Sequence, residues 1–279
     1  MQAKIVDNSS LTMASVLCAA IQGSQDIRMA VAFASRSGFS LIWGPLESAL
    51  SGGAYVEFIV GLDRRVTEPA VLQSLYDLNR ANTNVAFYCY ARGKESGIYH
   101  PKLYILRAND EVTSVVGSSN LTEGGLRKNI EINVVISGNI RDEVIADSYA
   151  AYDHLKFDNK HFEPDEEYLA TYGETRKREQ ARASQDTVLK ELIKHLDEKA
   201  KSLRRPKPTR RDVVGWLELI YNALPDGEFT NSQIYLNEQA FQEKYPDNDN
   251  IRAKIRQQLQ VLRDRGAIEQ ITPGRWRKL

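Results

Sequence analysis

The chain has 279 residues, with 37 Lys and Arg balanced by 37 Asp and Glu, so total charge argues neither for nor against a nucleic-acid partner. This length is sufficient for one large and one small domain. The chain has two cysteines without metal-ligand spacing and no convincing signal peptide, which predicts a cytoplasmic protein. It has no apolar stretch long enough to cross a membrane, which excludes a membrane-spanning protein.

The first part of the chain alternates between helical and strand patterns. Apolar periodicity predicts helices at 12–21, 40–50 and 68–79, the first of them capped by Ser10 or Thr12. Buried strands are predicted between these helices, at 26–33, 55–60 and 85–90. Alternation of this kind is typical of a layered α/β domain with a mixed or mostly parallel sheet, whose active site lies at the strand ends.

The stretch 99–106 is rich in aromatic and aliphatic residues and is predicted to be another strand. With a period of two, His100 and Lys102 project from the same face. An ammonium group supplies charge and hydrogen-bond donors to a phosphate, and an imidazole acts as a nucleophile or proton carrier near neutral pH. The pair is therefore a candidate phosphate-handling site.

Two further predicted strands bring polar groups towards this pair. The strand 113–116 ends in the turn 117–120, whose hydroxyl, amide and backbone N–H groups can bind an anion. The strand 130–137 carries Glu131 on its polar side, and a carboxylate that reaches the His100 ring would fix the ring tautomer and free one nitrogen to attack. The candidate catalytic residues are His100, Lys102, Ser118, Asn120 and Glu131.

The pattern His100-x-Lys102 followed by Gly117-Ser118-x-Asn120 resembles the phospholipase D superfamily. That superfamily often carries an Asp five residues after the Lys, where this chain has Arg107. Its restriction-endonuclease branch also lacks the Asp and uses a Glu eleven residues beyond the Asn, which is the spacing of Glu131 from Asn120.

The resemblance covers about the first 165 residues. It implies a nuclease that works through a covalent phosphohistidine without metal or cofactor. Superfamily members use two His-x-Lys motifs, one histidine attacking phosphorus and the other protonating the leaving oxygen. Because this chain has a single such motif followed by Gly-Ser-x-Asn, the resemblance implies a homodimer, formed through the nuclease domain, with one composite site.

The middle of the chain changes character after a predicted helix at 141–155. The segment 174–201 is dense in charge, with one narrow apolar stripe that includes Leu192 and Leu196, and predicts a linker helix or a helical hairpin. The prolines in 204–208 mark a domain boundary. We therefore predict a nuclease domain at 1–165, a charged helical linker at 166–206 and a separate domain at 207–279.

The last segment predicts a winged helix. Helices are expected at 211–224, 231–240 and 250–265, followed by a hairpin formed by 267–271 and 275–278. On the last helix, an apolar core face lies opposite a polar face that contains two glutamines. Gln suits the major-groove edge of adenine, and Arg suits guanine or phosphate. The candidate DNA-binding residues are Arg252, Ala253, Lys254, Arg256, Gln257, Gln260, Arg275, Trp276 and Arg277.

From about 205 to 279 the sequence resembles the winged helix of the methyladenine-dependent restriction endonucleases that cleave modified GATC. The resemblance rests on 245–248, on the long stretch 251–266 and on the wing up to 277–279. It implies that this domain binds double-stranded DNA methylated at adenine N6. The metal-dependent catalytic domain of that family has no counterpart in this chain.

Taken together, these patterns predict a modification-dependent restriction endonuclease. The first alternative is a phospholipase D-like nuclease for repair or defence whose winged helix reads unmethylated duplex DNA. A second alternative is a DNA-binding regulator with an inactive nuclease fold, which the presence of His100, Lys102, Asn120 and Glu131 disfavours. Lipid hydrolysis is disfavoured because no apolar membrane-binding surface is evident.

Overall fold

The computed structural model describes residues 1–91, 97–181, 187–204, 215–246, 248 and 250–279. By its contacts the chain divides into two compact units. The large unit comprises Met1–Gly138 and His154–Pro206, and the small unit comprises Asn139–Asp153 and Lys207–Leu279. Across the described residues, no helix has both the length and the apolar character that crossing a membrane requires.

The large unit is built on one mixed sheet of eight strands. These strands are β1 (Gln2–Val6), β2 (Asp26–Val31), β3 (Tyr55–Gly61), β4 (Val85–Tyr90), β5 (Lys102–Ala108), β6 (Glu111–Gly117), β7 (Asn133–Asn139) and β8 (His161–Phe162). Their spatial order is β1-β7-β6-β5-β2-β3-β4-β8, in which β2, β3 and β4 run parallel and β5 runs antiparallel to β2. The carboxyl ends of β2, β3 and β4 therefore share one sheet edge with the beginning of β5.

Six helices accompany the sheet strands along the described part of the chain. They are α1 (Met13–Ile21), α2 (Arg36–Ser51), α3 (Pro69–Ala81), α4 (Glu143–Lys156), α5 (Glu166–Gln180) and α6 (Thr187–Ser202). The apolar faces of α1, α2 and α3 join the buried strand residues in one continuous core. The predicted cap is confirmed, since Thr12 precedes α1 and its side chain accepts a hydrogen bond from the Ser15 amide.

The charged segment 166–206 contains a helical hairpin rather than an extended connector. Leu196 and Ala200 of α6 are buried in the core of the large unit, together with Tyr168 and Tyr172 of α5. By contacts these helices belong to the large unit, whereas 139–153, which we assigned to the nuclease domain, groups with the winged helix. The predicted boundary at 205–208 lies outside the described residues.

The small unit has the predicted winged-helix architecture, with two refinements. Its elements are α7 (Trp216–Ala223), β9 (Glu228–Thr230), α8 (Asn231–Tyr235), α9 (Glu238–Lys244), α10 (Ile251–Asp264), β10 (Ile268–Thr272) and β11 (Arg275–Lys278). The single helix predicted at 231–240 is interrupted at Leu236–Asn237, and β9 adds a third strand to the hairpin. Residues 211–214 of the first predicted helix lie outside the described residues.

Candidate active site and nucleic-acid interface

His100 and Lys102 lie at the sheet edge where the parallel strands end. Lys102 begins β5 and is paired with Val31 at the end of β2, while His100 stands just before the strand. The Lys102 ammonium lies 2.6 Å from His100 Nδ1 and 3.0 Å from Nε2, and it donates to the His100 carbonyl at 2.9 Å. Because an ammonium group can only donate, a ring nitrogen that accepts from it carries no proton, and only one of the two nitrogens can accept in a neutral ring.

The electrostatic environment favours this neutral form. Partial burial, the Lys102 ammonium and the Arg64 guanidinium all lower the pKa of His100. Burial also lowers the pKa of Lys102, whose side chain is only slightly exposed, while the Glu131 carboxylate opposes that shift. The site thus combines a neutral, nucleophilic imidazole with a cation buried directly behind it.

Asn120 is oriented by the backbone of the neighbouring strand end. Its Oδ1 accepts a hydrogen bond from the Phe33 amide at 3.0 Å, just beyond β2. With the oxygen engaged in this way, the amide nitrogen is left as a donor. Phe33 also contacts the His100 ring edge-to-face, with 5.6 Å between the ring centroids. Phe33 was not predicted from the sequence, because an aromatic residue at a strand end carries no signal that distinguishes a site residue from a core residue.

Ser118 and Glu131 are brought together by the approach of the chain to β7. The Ser118 hydroxyl donates to Glu131 Oε2, and Asn129 Nδ2 donates to Glu131 Oε1 at 3.3 Å. Within the described residues, the hydrogen bonds of Glu131 do not include the His100 ring, so the expected carboxylate–imidazole contact is not formed. The reason is local: β7 begins at Asn133 and not at residue 130, which leaves Glu131 in an irregular segment beside Ser118.

Asn133 holds the turn that carries Ser118 and Asn120. Its buried side chain accepts from the Ser119 amide at 3.1 Å, donates to the Ser119 hydroxyl at 2.8 Å and donates to the Val6 carbonyl at 3.3 Å. A Cβ on Gly117 would lie 2.6 Å from Asn133 Cα, so this close approach requires glycine. Asn133 was not predicted as a site residue, since its role depends on which turn it faces.

The arrangement has the parts that an attack on a phosphodiester requires. One neutral imidazole, one ammonium, one amide donor and one hydroxyl surround the same sheet edge. The cation and the donors match the non-bridging oxygens of a phosphate. No group of three or more His, Cys, Asp or Glu side chains able to hold a metal ion is present in the described part of the chain.

The polar face of α10 is exposed as predicted at four positions. Arg252, Arg256, Gln257 and Gln260 are exposed, and Ala253 is half-buried. Arg252 donates to Glu238 at 2.8 Å and stacks over the Tyr235 ring, and Arg256 donates to the Tyr235 hydroxyl at 3.2 Å. The two arginines are therefore held in place, while both glutamine side chains remain directed to solvent.

Two predicted DNA-binding residues are placed differently. Trp276 is buried in the core of the small unit, and its indole N–H donates to Asn231 Oδ1 at 2.7 Å, so it is a packing residue and the prediction was wrong. Alternation along β11 turns its ring inward while Arg275 and Arg277 face outward. Lys254 is half-buried and lies 3.8 Å from Asp147, on the side of α10 rather than on its polar face.

The wing arginines are paired with acidic side chains. Glu228 contacts Arg275 at 2.9 Å and Arg277 at 2.8 Å, and Glu269 contacts Arg277 at 2.6 Å. The hydrogen bond from Arg277 lowers the pKa of Glu228, and the hydrogen bond to Glu228 raises the pKa of Arg277. Exposed pairs of this kind are weak, so a phosphate can compete for either arginine.

Comparison with protein-family models identifies both parts of the chain. Residues 17–154 match the model described as "Cardiolipin synthase, PLD-like domain". Residues 212–278 match the model described as "Dam-replacing HTH domain". No curated protein matches the chain significantly.

Several solved structures resemble the chain over slightly more than half of its length. NucT from Helicobacter pylori is 16% identical, covering 55% of this chain and 94% of its own, with a TM-score of 0.43. The phospholipase D family member Nuc from Salmonella typhimurium is 21% identical, covering 55% of this chain and 90% of its own, with a TM-score of 0.40. Polyphosphate kinase from Porphyromonas gingivalis is 18% identical, and the match covers 59% of this chain and 27% of the kinase, with a TM-score of 0.42.

The His-x-Lys pair, the Gly-Ser-x-Asn turn and the sheet strands β2 to β7 all belong to the stretch that the first model matches. The α10 helix and the wing belong to the stretch that the second one matches. The chain therefore consists of a phospholipase D-like domain followed by a winged-helix domain of the Dam-replacing type.

Proposed function

We propose that this protein is a modification-dependent restriction endonuclease, which cleaves double-stranded DNA carrying N6-methyladenine in GATC and whose winged helix discriminates against the unmethylated sequence. The observation that carries the proposal is the pairing, in one chain, of a His100–Lys102–Asn120 phosphate site with an exposed glutamine-bearing helix. The first supplies chemistry on a phosphodiester, and the second supplies side chains suited to adenine.

In the proposed reaction, His100 attacks the scissile phosphorus. A nitrogen–phosphorus bond forms, the bond from phosphorus to the leaving oxygen breaks, and that oxygen takes a proton from a second histidine. Water then attacks the phosphohistidine, with the second histidine now accepting a proton, and His100 is released. Lys102 and the amide of Asn120 stabilise the negative charge on the non-bridging oxygens.

The proposal assigns the second histidine to the partner in a homodimer. One copy carries a single His-x-Lys pair followed by a Gly-Ser-x-Asn turn, so two copies are needed to supply the attacking and the protonating imidazole. The other His-x-Lys spacing, His154-x-Lys156, lies on α4, where Lys156 is buried in an ion pair with Glu57. Large apolar side chains are exposed close to the site, on and beside β1, β6 and β7. They are Ile5, Val116, Ile130, Ile132 and Val134. Exposed apolar groups gathered in this way favour a protein–protein interface.

The proposed reaction needs no divalent metal. At a phosphate, a metal ion chiefly neutralises charge on oxygen and orients the attacking group. Here the Lys102 ammonium and the Asn120 amide can provide the first of these, and the contacts of His100 with Lys102 and Phe33 the second. Cleavage is therefore expected to continue in excess EDTA.

Recognition of the methylated base is assigned to α10. Gln257 and Gln260 are exposed on its polar face and can each engage the major-groove edge of an adenine. Ala253, on the same helix, is small enough to leave space for an N6-methyl group. Arg252 and Arg256 lie beside them and are suited to phosphate contacts.

The test uses one plasmid prepared from adenine-methylating and non-methylating hosts. Each preparation is incubated with the full-length protein in magnesium and in excess EDTA. We expect cleavage of the methylated plasmid under both conditions and none of the unmethylated plasmid. Equal cleavage of the two plasmids would favour a nuclease that reads ordinary duplex DNA, and loss of cleavage in EDTA that magnesium restores would contradict the histidine mechanism.

A binding measurement separates recognition from chemistry. The His100→Ala variant is expected to cut neither plasmid and yet to bind a methylated GATC duplex as tightly as the unaltered protein, because the attacking imidazole contributes little to affinity. Titration of this variant with methylated and unmethylated duplexes measures discrimination without cleavage. Equal affinity for the two duplexes would remove methyl recognition from the proposal.

A further inference from the structure

A short turn, Asp63–Arg65, follows β3 at the same sheet edge as His100. Its Asp63 carboxylate accepts a hydrogen bond from the Tyr99 amide at 2.7 Å, one residue before His100. A Cβ on Gly61 would lie 2.7 Å from the Tyr99 ring, so the end of β3 and the approach to His100 are in close contact. The turn is therefore part of the wall of the active site.

The backbone of this turn is held in an unfavourable conformation. Arg64 has φ +56° and Arg65 has φ +50°, a left-handed geometry that costs a residue other than glycine about 1–2 kcal/mol. Contacts from α5 hold it there: Arg176 Nε donates to the Arg65 carbonyl at 2.8 Å, and the Tyr172 hydroxyl donates to the Thr67 carbonyl at 2.9 Å. The conformation is thus imposed by the surrounding structure and not by local preference.

The two arginines of the turn have different environments. Arg65 is half-buried and forms an ion pair with Glu179 at 3.0 Å. Arg64 is exposed, and it has no ion-pair partner within the part of the chain that the structure describes. Its charge nevertheless acts on the site, because it lowers the pKa of His100 together with burial and Lys102. Among the described residues, then, this guanidinium beside the phosphate-handling imidazole is available for a second anion.

An open groove runs along this turn. It is lined by Arg64, Arg65, Val66, Arg176, Glu179 and Gln180. Glu179 is engaged by Arg65 and the Arg176 Nε is bonded to the backbone, which leaves Arg64 as the cation at the end nearest His100. The groove therefore offers a nucleic-acid strand a surface along the turn that includes the Arg64 guanidinium.

We propose that Arg64 binds a phosphate of the cleaved DNA strand, adjacent to the phosphate that His100 attacks. This inference rests on the proposed nuclease function. The strained turn fixes the direction of the side chain, and Asp63 couples the turn to the His100 segment, so that the adjacent phosphate positions the strand for attack. Arg64 is a positioning residue in this assignment, and it takes no part in bond making or proton transfer.

The test compares Arg64→Asn with Arg64→Lys and with Arg80→Asn. Asn removes the cation and tolerates the left-handed backbone better than most residues, so the fold is expected to persist. Lys keeps the charge. Arg80 is an exposed arginine in the last turn of α3 and provides the matched control, because α3 runs back towards the opposite sheet edge. Thermal unfolding of all three variants verifies that each is folded.

Each variant is assayed on methylated DNA over a range of salt concentrations and on bis(p-nitrophenyl) phosphate, which contains a single phosphate. For Arg64→Asn we expect the DNA KM to rise about tenfold and the salt dependence to weaken by about one phosphate contact, with turnover of the small diester within about twofold of the unaltered protein. Arg64→Lys should recover most of the loss, and Arg80→Asn should change neither substrate.

The outcomes separate this inference from the function on which it rests. If the unaltered protein cleaves neither substrate, the nuclease proposal fails. If it cleaves DNA and Arg64→Asn behaves like Arg80→Asn, only the Arg64 assignment fails. An equal loss of kcat on both substrates would place Arg64 on the scissile phosphate and overturn the adjacent-phosphate assignment.

Discussion

At the scale of single residues, the proposed reaction depends on the protonation state of each His100 ring. The proposed dimer uses one neutral and one protonated His100, so its rate is expected to depend on pH as a bell. Burial, Lys102 and Arg64 lower the pKa of His100 from its usual 6.5, which means that the ring loses its proton at lower pH than a free histidine. The His100 that attacks therefore stays neutral down to a lower pH than an ordinary histidine would. The His100 that donates a proton also loses that proton at a lower pH than an ordinary histidine would.

We therefore predict a kcat/KM maximum on the acid side of pH 6.5. The measurement is the initial rate on a methylated duplex between about pH 4.5 and 8.5, a range chosen to span the ordinary histidine pKa. The Arg80→Asn variant serves as a control for general charge effects. A rate that continues to rise through neutral pH would show that deprotonation of a different group limits the reaction.

At the scale of elements, the turn 117–120 is rigid because β7 supplies Asn133. Replacing Asn133 with Ala removes hydrogen bonds to Ser119 and to Val6 and leaves buried polar groups unpaired. We predict a loss of about 1–3 kcal/mol in the free energy of unfolding, with cleavage reduced more than duplex binding. Denaturant titration and plasmid cleavage measure the two effects.

The matched control for this change is Asn79→Ala. Asn79 also donates its side-chain amide to a backbone carbonyl, that of Val85 at 2.8 Å, but on α3 and away from the turn. It is expected to lower stability without a specific loss of cleavage. If both variants lose cleavage in proportion to stability alone, Asn133 has no particular role in the site.

The recognition helix α10 provides a second prediction at this scale. Gln257→Ala or Gln260→Ala should reduce the preference for methylated GATC by about 1–3 kcal/mol for each lost bidentate contact. The measurement is the affinity of the variant, made in the His100→Ala background, for matched duplexes that differ at the adenine. Gln239→Ala on α9, an exposed glutamine bonded to Glu243, is the control and should leave discrimination unchanged.

At the scale of the whole molecule, the proposed mechanism requires two copies. The patch beside the site includes Val134, which is 36% exposed, and α4 carries a comparable Val144, which is 37% exposed. We predict that Val134→Glu produces a monomer that no longer cleaves, because a charge at an apolar interface remains desolvated and unpaired. Val144→Glu changes the same atoms at the same exposure and should remain dimeric and active.

Sedimentation measures the assembly state, and plasmid cleavage measures activity in the same samples. With one composite centre for two strands, the unaltered protein should also pass through a nicked circular intermediate. A Val134→Glu protein that is monomeric and cuts at the full rate would refute the composite site.

The sequence by itself determined the elements whose pattern is local. The predicted strand at 85–90 coincides with β4, and Thr12 caps α1, because alternation, apolar runs and capping side chains act over a few residues. The sequence also showed the His-x-Lys and Gly-Ser-x-Asn spacings and predicted the exposed glutamines of α10, since each of these features lies within one strand, turn or helix. By contrast β1 was missed, because four of its five residues are exposed and show no buried alternation.

Only the tertiary structure decided which of these groups meet. Glu131 bonds to Ser118 and Asn129 because β7 begins only at Asn133, two residues after Glu131. The orientation of Asn120 depends on the backbone amide of Phe33, 87 residues away. Trp276 lies in the core because its position in the alternation of β11 turns the ring towards the helices of the small unit, while Arg275 and Arg277 face outward. The left-handed Arg64 could not be read from local sequence, since α5 and the Tyr99 segment impose a backbone that arginine alone disfavours.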